Sequence, residues 1–381
     1  MWQFQPRTYI PWYLQLVSPL IAVFLTILLG MGLFSFLGKD PFHAMQVFFI
    51  SPLSDGYNIG ELFVKTAPML LCAIGLALCY QANLWNIGAE GQLLLGAVVG
   101  SAVSLHFAES SFSVWLALLA GVLAGMVWSG IAIALRQWFN SNIILTTIML
   151  NYIALYTLQW AVHGPLKDPD GMGFPESAMF ADTQLLPILI ENTRVHLGVL
   201  FALLAAVLCW VLLRFSWLGF QIRVLGHDES SAHYAGFSIR RLRWGIMLLS
   251  GALAGLAGAS EVSGPIGQLI PSVSPGYGYA AIIVAWLGRL HPIGMLLSGS
   301  FLGLIYMGGD MAQIELGVPT AITGLFQGAL LFLLLASDFL LRYRQVLAEA
   351  GEIHFKTDNR DLFEWSLFQF PRVGFGVSEV T

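Results

Sequence analysis

Charge is what this sequence has least of. Of its 381 residues, 17 are Lys or Arg and 22 are Asp or Glu, 10% in all, whereas 57% are hydrophobic and the mean hydropathy is +0.75. Soluble domains carry roughly a quarter charged residues, so this complement is too small to solvate a globular surface. Disorder, collagen and coiled coil fail on the same numbers, and a net charge of −5 offers nucleic acid no basic footprint. A polytopic membrane protein remains.

Reactive groups are equally sparse. Cys72, Cys79 and Cys209 all fall in apolar runs. The first two are seven residues apart on one expected helix, about 10 Å of rise, too far for a disulfide. No His/Cys grouping has metal-ligand spacing, so no metal site is expected. Lys39, Lys65, Lys167 and Lys356 are the four lysines, and none completes the G-x-x-x-x-G-K-[S/T] phosphate loop. If the protein uses ATP, another chain hydrolyses it. Neither G-x-S-x-G nor H-E-x-x-H occurs, and no paired Asp-rich motif would hold magnesium diphosphate. No catalytic residues are expected.

What is present is a series of apolar runs near the 20 residues that a spanning helix needs: 14–37, 62–82, 87–107, 113–136, 143–162, 195–214, 243–262, 276–290, 292–308 and 318–340. The fold class expected is therefore all-α, a polytopic integral membrane protein of about ten transmembrane helices. The pair 276–290 and 292–308 is short and tightly joined, and a re-entrant hairpin there would leave eight full spans. The first run is too long for a signal peptide and lacks a small-x-small site after it, so it reads as a retained helix.

Positive charge gives the orientation. Thirteen Lys/Arg, among them Arg136, Arg214, Arg223, Arg240, Arg241 and Arg243, fall on one side, against Lys39, Lys65, Lys167 and Arg194 on the other. Both termini are expected to be cytoplasmic. Residues 1–344 form the expected membrane domain, with a polar internal loop at 215–242 and an acidic external loop at 163–194. The stretch 345–381 is read as a cytoplasmic tail. Glycine pairs at i and i+4 (Gly96/Gly100, Gly121/Gly125, Gly251/Gly255, Gly299/Gly303, Gly324/Gly328) suit close helix packing in lipid.

Polar residues within apolar runs are costly and kept for packing or transport. Asn83-Leu-Trp-Asn-Ile-Gly-Ala-Glu-Gly-Gln92 cannot be a lipid-facing helix. It reads as a capped cytoplasmic turn, a broken helix, or, through Asn86, Glu90 and Gln92, a substrate contact. Thr147 and Asn151 share a helix face and suit an interhelical hydrogen bond or a polar lining of a translocation path. Asp228, Glu229 and Ser230 suit a helix start and Gly236 its end, giving a short helix over 226–238 parallel to the membrane. Ser274-Pro-Gly-Tyr-Gly-Tyr279 suits a turn into a helix, with Tyr277 and Tyr279 as interface anchors.

At these residues the chain resembles the permease subunits of bacterial ABC importers of the branched-chain amino acid/ribose/simple-sugar class. The resemblance rests on Asn86-Ile-Gly-Ala-Glu-Gly-Gln92, Thr147-Ile-Met-Leu-Asn-Tyr-Ile-Ala154, Tyr234-Ala-Gly236, Ser250-Gly-Ala-Leu-Ala-Gly-Leu-Ala-Gly-Ala-Ser-Glu-Val262, Ser274-Pro-Gly-Tyr-Gly278 and Leu287-Gly-Arg-Leu-His-Pro-Ile-Gly294. It covers roughly residues 60–340, and the first motif resembles the nucleoside/simple-sugar branch. The resemblance implies a non-enzymatic subunit of the bacterial inner membrane, with no cofactor of its own. It implies as partners a second permease, identical or paralogous, a cytoplasmic ATP-binding chain holding ATP and Mg, and an external solute-binding protein. Coupling to the ATPase would fall to Asp228, Glu229, Ala232, Tyr234, Ala235 and Gly236, and the substrate path to Thr147, Asn151, Asn86, Glu90 and Gln92. Long, variant stretches at 227–234 and after 345 depart from the family's usual pattern. Spans two–three and seven–eight are expected to correspond as inverted repeats. An ion-coupled carrier and a membrane-embedded enzyme are the competing classes. The first would normally use ionisable residues at mid-span, for which Glu90 and Glu261 are the deep candidates, with Lys65 near the end of its span, and this shortage argues against it.

Overall fold

A computed structural model describes residues 2–6, 12–171, 173–319 and 321–347, with side chains described between 17 and 337 except at 18, 172 and 320. The chain divides into two compact units, 21–334, and 1–20 together with 335–381. In the smaller unit, β1 (Trp2–Pro6) and β2 (Tyr343–Leu347) pair antiparallel, Trp2 opposite Leu347. Most of the expected tail, from 348 on, lies outside the described residues.

Helices make up the rest: α1 (Trp12–Phe36), α2 (Pro41–Phe49), α3 (Gly56–Gln81), α4 (Ala89–His106), α5 (Ser113–Phe139), α6 (Ile143–His163), α7 (Leu197–Phe215), α8 (Trp217–His227), α9 (Glu229–Tyr234), α10 (Ile239–Glu261), α11 (Tyr277–Leu287), α12 (Pro292–Leu316) and α13 (Ala321–Arg342). Seven helices among the described residues are long and apolar enough to cross a membrane. Each of the ten apolar runs is found as a helix, but α11 has only 11 residues. At 1.5 Å per residue it rises about 16 Å, roughly half a hydrocarbon core. The choice left open at 276–308 therefore resolves into a half-length α11 followed by the 25-residue α12.

Lipid supplies no hydrophobic drive between helices, so close approach does the packing. α4, α5 and α10 meet along a glycine seam. A Cβ on Gly96 would lie 2.4 Å from the Gly255 carbonyl oxygen, one on Gly125 2.1 Å from that of Gly251, and one on Gly258 2.0 Å from that of Leu93. The pair Gly324/Gly328 has nothing within 4 Å of either position among the described residues.

Two helix–break–helix units share this core. α3 ends at Gln81, the chain turns through Asn83 at φ 54, and α4 begins after Gly88. α10 runs into a π-helical turn, Val262–Ile266, around Pro265, and ends at Gly267 with φ 74. A non-helical stretch then leads to Gly276, φ 95, the cap of α11. Backbone without helix is tolerated at such depth only where protein covers it. Here Leu269 and Val273 are buried, and the 163–194 loop lies along the first part. Ser177 N–H donates to the Leu269 carbonyl at 2.9 Å, and Phe180 N–H to that of Gly267 at 2.8 Å.

Candidate functional site

The two breaks meet. Gly278 N–H donates to Glu90 Oε2 at 2.7 Å, and the Ser274 hydroxyl and Tyr279 N–H also face that carboxylate. The N-terminus of α11 thus abuts that of α4, and the glutamate satisfies amides that a helix start leaves unpaired. A Cβ on Gly278 would lie 2.3 Å from Glu90 N, so only glycine permits the approach.

The other expected path residues gather at this junction. Asn86 Oδ1 accepts from Gly88 N–H at 2.8 Å, and its Nδ2 donates to Ser250 Oγ at 3.2 Å. Thr147 Oγ1 accepts from Ile87 N–H at 3.2 Å while donating to the Ile143 carbonyl at 2.8 Å. Asn151 clasps the break from both sides. Its Oδ1 accepts from Gly91 N–H at 2.9 Å, and its Nδ2 donates to the Ile87 carbonyl at 2.9 Å and to Tyr279 Oη at 3.2 Å. Gln92 Nε2 reaches Asn86 Oδ1 at 3.5 Å. All five side chains are buried. Tyr277 is no interface anchor: it is 4% exposed and packs edge-on against Tyr306.

A second polar group, in the half of the bundle under the 163–194 loop, was legible only in fragments. Lys65 on α3 pairs with Asp310 on α12, their side chains 25% and 51% exposed. Buried Glu261 on α10 is within electrostatic reach of Lys65, Arg194 and Glu61, and Tyr277 of Glu261, Asp310 and Glu61. Arg194 pairs with Glu61 at 3.4 Å and also donates to the Pro265 carbonyl. Glu61 Oε1, a buried atom, has no hydrogen-bond partner among the described residues, and the Gln327 side chain hydrogen-bonds Tyr306. Lys65 and Glu261 stood out in the sequence, but nothing in the local pattern joined them to Asp310, 245 positions from Lys65.

At the arginine-flanked end the expected 226–238 helix is found over 229–234 as α9, preceded by a further helix, α8. Asp228, extended at φ −159, ends α8 and caps α9, accepting from Ser231 N–H at 2.7 Å and Ser230 N–H at 3.2 Å. The Ser231 hydroxyl first, then these amides, hold its carboxyl below the usual range. Glu229 pairs with Arg243 at 2.8 Å. Ala232 is buried, whereas Tyr234 is 92% exposed, with Ala235 and Gly236 exposed beside it. Gly236 closes the turn at φ 75. Behind α9, α8 touches the end of α3: a Cβ on Gly226 would sit 1.8 Å from the Gln81 carbonyl oxygen. Gln81 Nε2 in turn donates to the Leu290 carbonyl at 2.8 Å, in the α11–α12 turn. Tyr80 and Trp85 stack with Trp286 beside it.

Comparison with known proteins agrees with this layout. Residues 58–335 match the family described as branched-chain amino acid transport system / permease component. The glucose ABC transporter permease protein TsgB13 of Haloferax volcanii is 32% identical over 91% of this chain and 94% of its own length. The guanosine ABC transporter permease protein NupP of Bacillus subtilis is 31% identical over 86% and 95%. The nucleoside ABC transporter permease protein NupB of Lactococcus lactis is 28% identical over 84% and 90%.

Proposed function

We propose, from the premise that this chain belongs to the family of branched-chain amino acid transport permease components, that it carries a nucleoside or simple sugar across a bacterial inner membrane. It is a multi-pass ABC transporter permease and a transport component, not an enzyme. In this reading a separate chain binds ATP and Mg at the arginine-flanked, cytoplasmic end. A second permease, identical or paralogous, completes the path, and an external solute-binding protein delivers the solute. The pairing of β1 with β2 supports a common side for both ends of the described chain.

The observation that carries this reading is α9: an exposed helix, built on a chain without a phosphate loop, whose neighbour α8 bears on α3 beside the break. Movement of the ATP-binding chain would push α9 and α8 against Gln81. The Gln81–Leu290 hydrogen bond would pass that movement to α11, whose other end is held by Glu90. Outward and inward states then differ in how α11 sits against α4, and solute and ATP act by binding the two states unequally. Correspondence of the α3–α4 and α10–α11 units as inverted repeats belongs to this reading, supported by the meeting of their second helices. Asn86, Glu90, Gln92, Thr147 and Asn151 shape the path by fixing the break.

Gly236→Pro is the test. Proline cannot adopt φ 75 and removes the N–H that Gly236 donates to the His233 carbonyl. The variant should assemble normally in the membrane yet hydrolyse ATP without uptake. Normal ATP-dependent uptake would refute the coupling role of α9, and uptake abolished by an ionophore instead would favour an ion-coupled carrier.

A further inference from the structure

The Lys65–Asp310 pair joins two of the long apolar helices, α3 and α12. Lys65 is nine residues into α3, about 13 Å from its start at 1.5 Å per residue, and Asp310 is more than one turn from the end of α12. Charges within spans are rare and face either the bundle interior or a water-filled cavity. On this chain alone half of the Asp310 side chain is exposed. Lipid does not solvate such a charge, so this is a face that a water-filled path would border.

Behind the pair lies a group still short of a partner. Glu61 Oε1 is a buried acceptor without a donor among the described residues. Gln327 is next to Tyr306, which packs on Tyr277. Buried polar groups are nearly always satisfied, and orphans mark a place where a water or a ligand completes them. The junction around Asn86 and Asn151 differs in that its side chains are engaged with the bare backbone of the break, Gln92 Oε1 being the atom there that has no partner among the described residues.

We propose that Lys65 and Asp310, with Glu61, Tyr277 and Gln327 behind them, form the outer wall of the solute path and bind the hydroxyl groups of a polyol. The assignment rests on the permease reading. A vicinal diol both donates and accepts, so it can donate to carboxylate oxygens and accept from an ammonium or amide at once. Ribose and hexose share that chemistry, so the wall itself is common to nucleosides and sugars.

The test uses the complete assembly: this permease, its partner permease, the ATP-binding chain and the solute-binding protein, reconstituted in liposomes. The first readout needs no solute. Asp310→Cys should react with a membrane-impermeant thiol reagent, while Leu297→Cys, an exposed apolar site on the same helix, should not. An unreactive Asp310→Cys overturns the proposal. The second readout is uptake of guanosine and of D-glucose. Lys65→Gln and Asp310→Asn should each cut uptake per ATP hydrolysed about tenfold or more, with assembly and ATP hydrolysis retained. Loss for guanosine but not for its 2′,3′-dideoxy analogue assigns the wall to ribose, and loss for glucose assigns it to the hexose. A charge-swapped double variant, Lys65→Asp with Asp310→Lys, preserves the ion pair. If the pair were merely structural the swap would restore uptake, and such recovery, or unchanged uptake in the single variants, overturns the proposal. A wild-type assembly that never couples uptake to ATP would instead break the permease reading.

Discussion

The polar residues of the bundle form two groups of similar chemistry and opposite condition. Around Glu90 and Asn151, carboxylate and amide groups bind backbone that two interrupted helices leave bare. Around Lys65 and Asp310, charges are partly exposed and a neighbouring carboxylate oxygen, Glu61 Oε1, has no partner among the described residues. In the first group the side chain completes the fold. In the second the fold leaves the side chain incomplete. A polar residue inside a membrane protein is thus diagnosed less by its identity than by what has already claimed its hydrogen bonds.

This contrast predicts which substitutions unfold the protein and which merely disable it. The largest effect belongs to Gly278→Leu, which puts a side chain where α11 meets the Glu90 backbone. We expect a loss of about 3 kcal/mol or more, read as failure to assemble or a large fall in melting temperature in detergent. A normal melt would show that the two helix starts are not in tight contact. Next is Asn151→Leu, which unpairs Gly91 N–H and the Ile87 carbonyl and should cost about 2 kcal/mol by the same measurement.

Asp310→Asn should shift the melt little, by under about 1 kcal/mol, because its ion pair is partly exposed and screened. A large loss there would move the outer group into the structural class and erase the contrast. The smallest effect is confined to α9. The Asp228 cap is held below its ordinary value, so its contribution is complete above the unfolded carboxylate range near 3.9 and is lost as pH falls through the lower folded value. Amide exchange over 229–234 should therefore rise below about pH 4 while the remainder of the bundle stays protected. Uniform exchange across that range would deny the cap its role.

The spans could be located from sequence because a membrane fixes the length of an apolar run. Even α4, too polar to stand out by hydropathy alone, was placed to within two residues at its start. The role of the Asn86–Gln92 motif as a break also followed from composition, since no lipid-facing helix tolerates it. Three things were hidden. The cause of α11's shortness is one: the chain before it runs through turns and bends beneath the 163–194 loop, a tertiary arrangement without periodicity. α8 fills the start of the polar loop, and Asp228 separates it from α9 through a local hydrogen bond with Ser231. The outer charged group is assembled from α3, α10 and α12, so no window of sequence contains it.

The glycine seam has a mechanical corollary. Between α4, α5 and α10 no layer of side chains separates the backbones, and flexible side chains are what let packed helices slide by changing rotamer. Shear between these three is therefore foreclosed, and they behave as a single stiff plate. Any rearrangement during a working cycle must be borne by elements outside that plate, α11 with its flanking turns first among them.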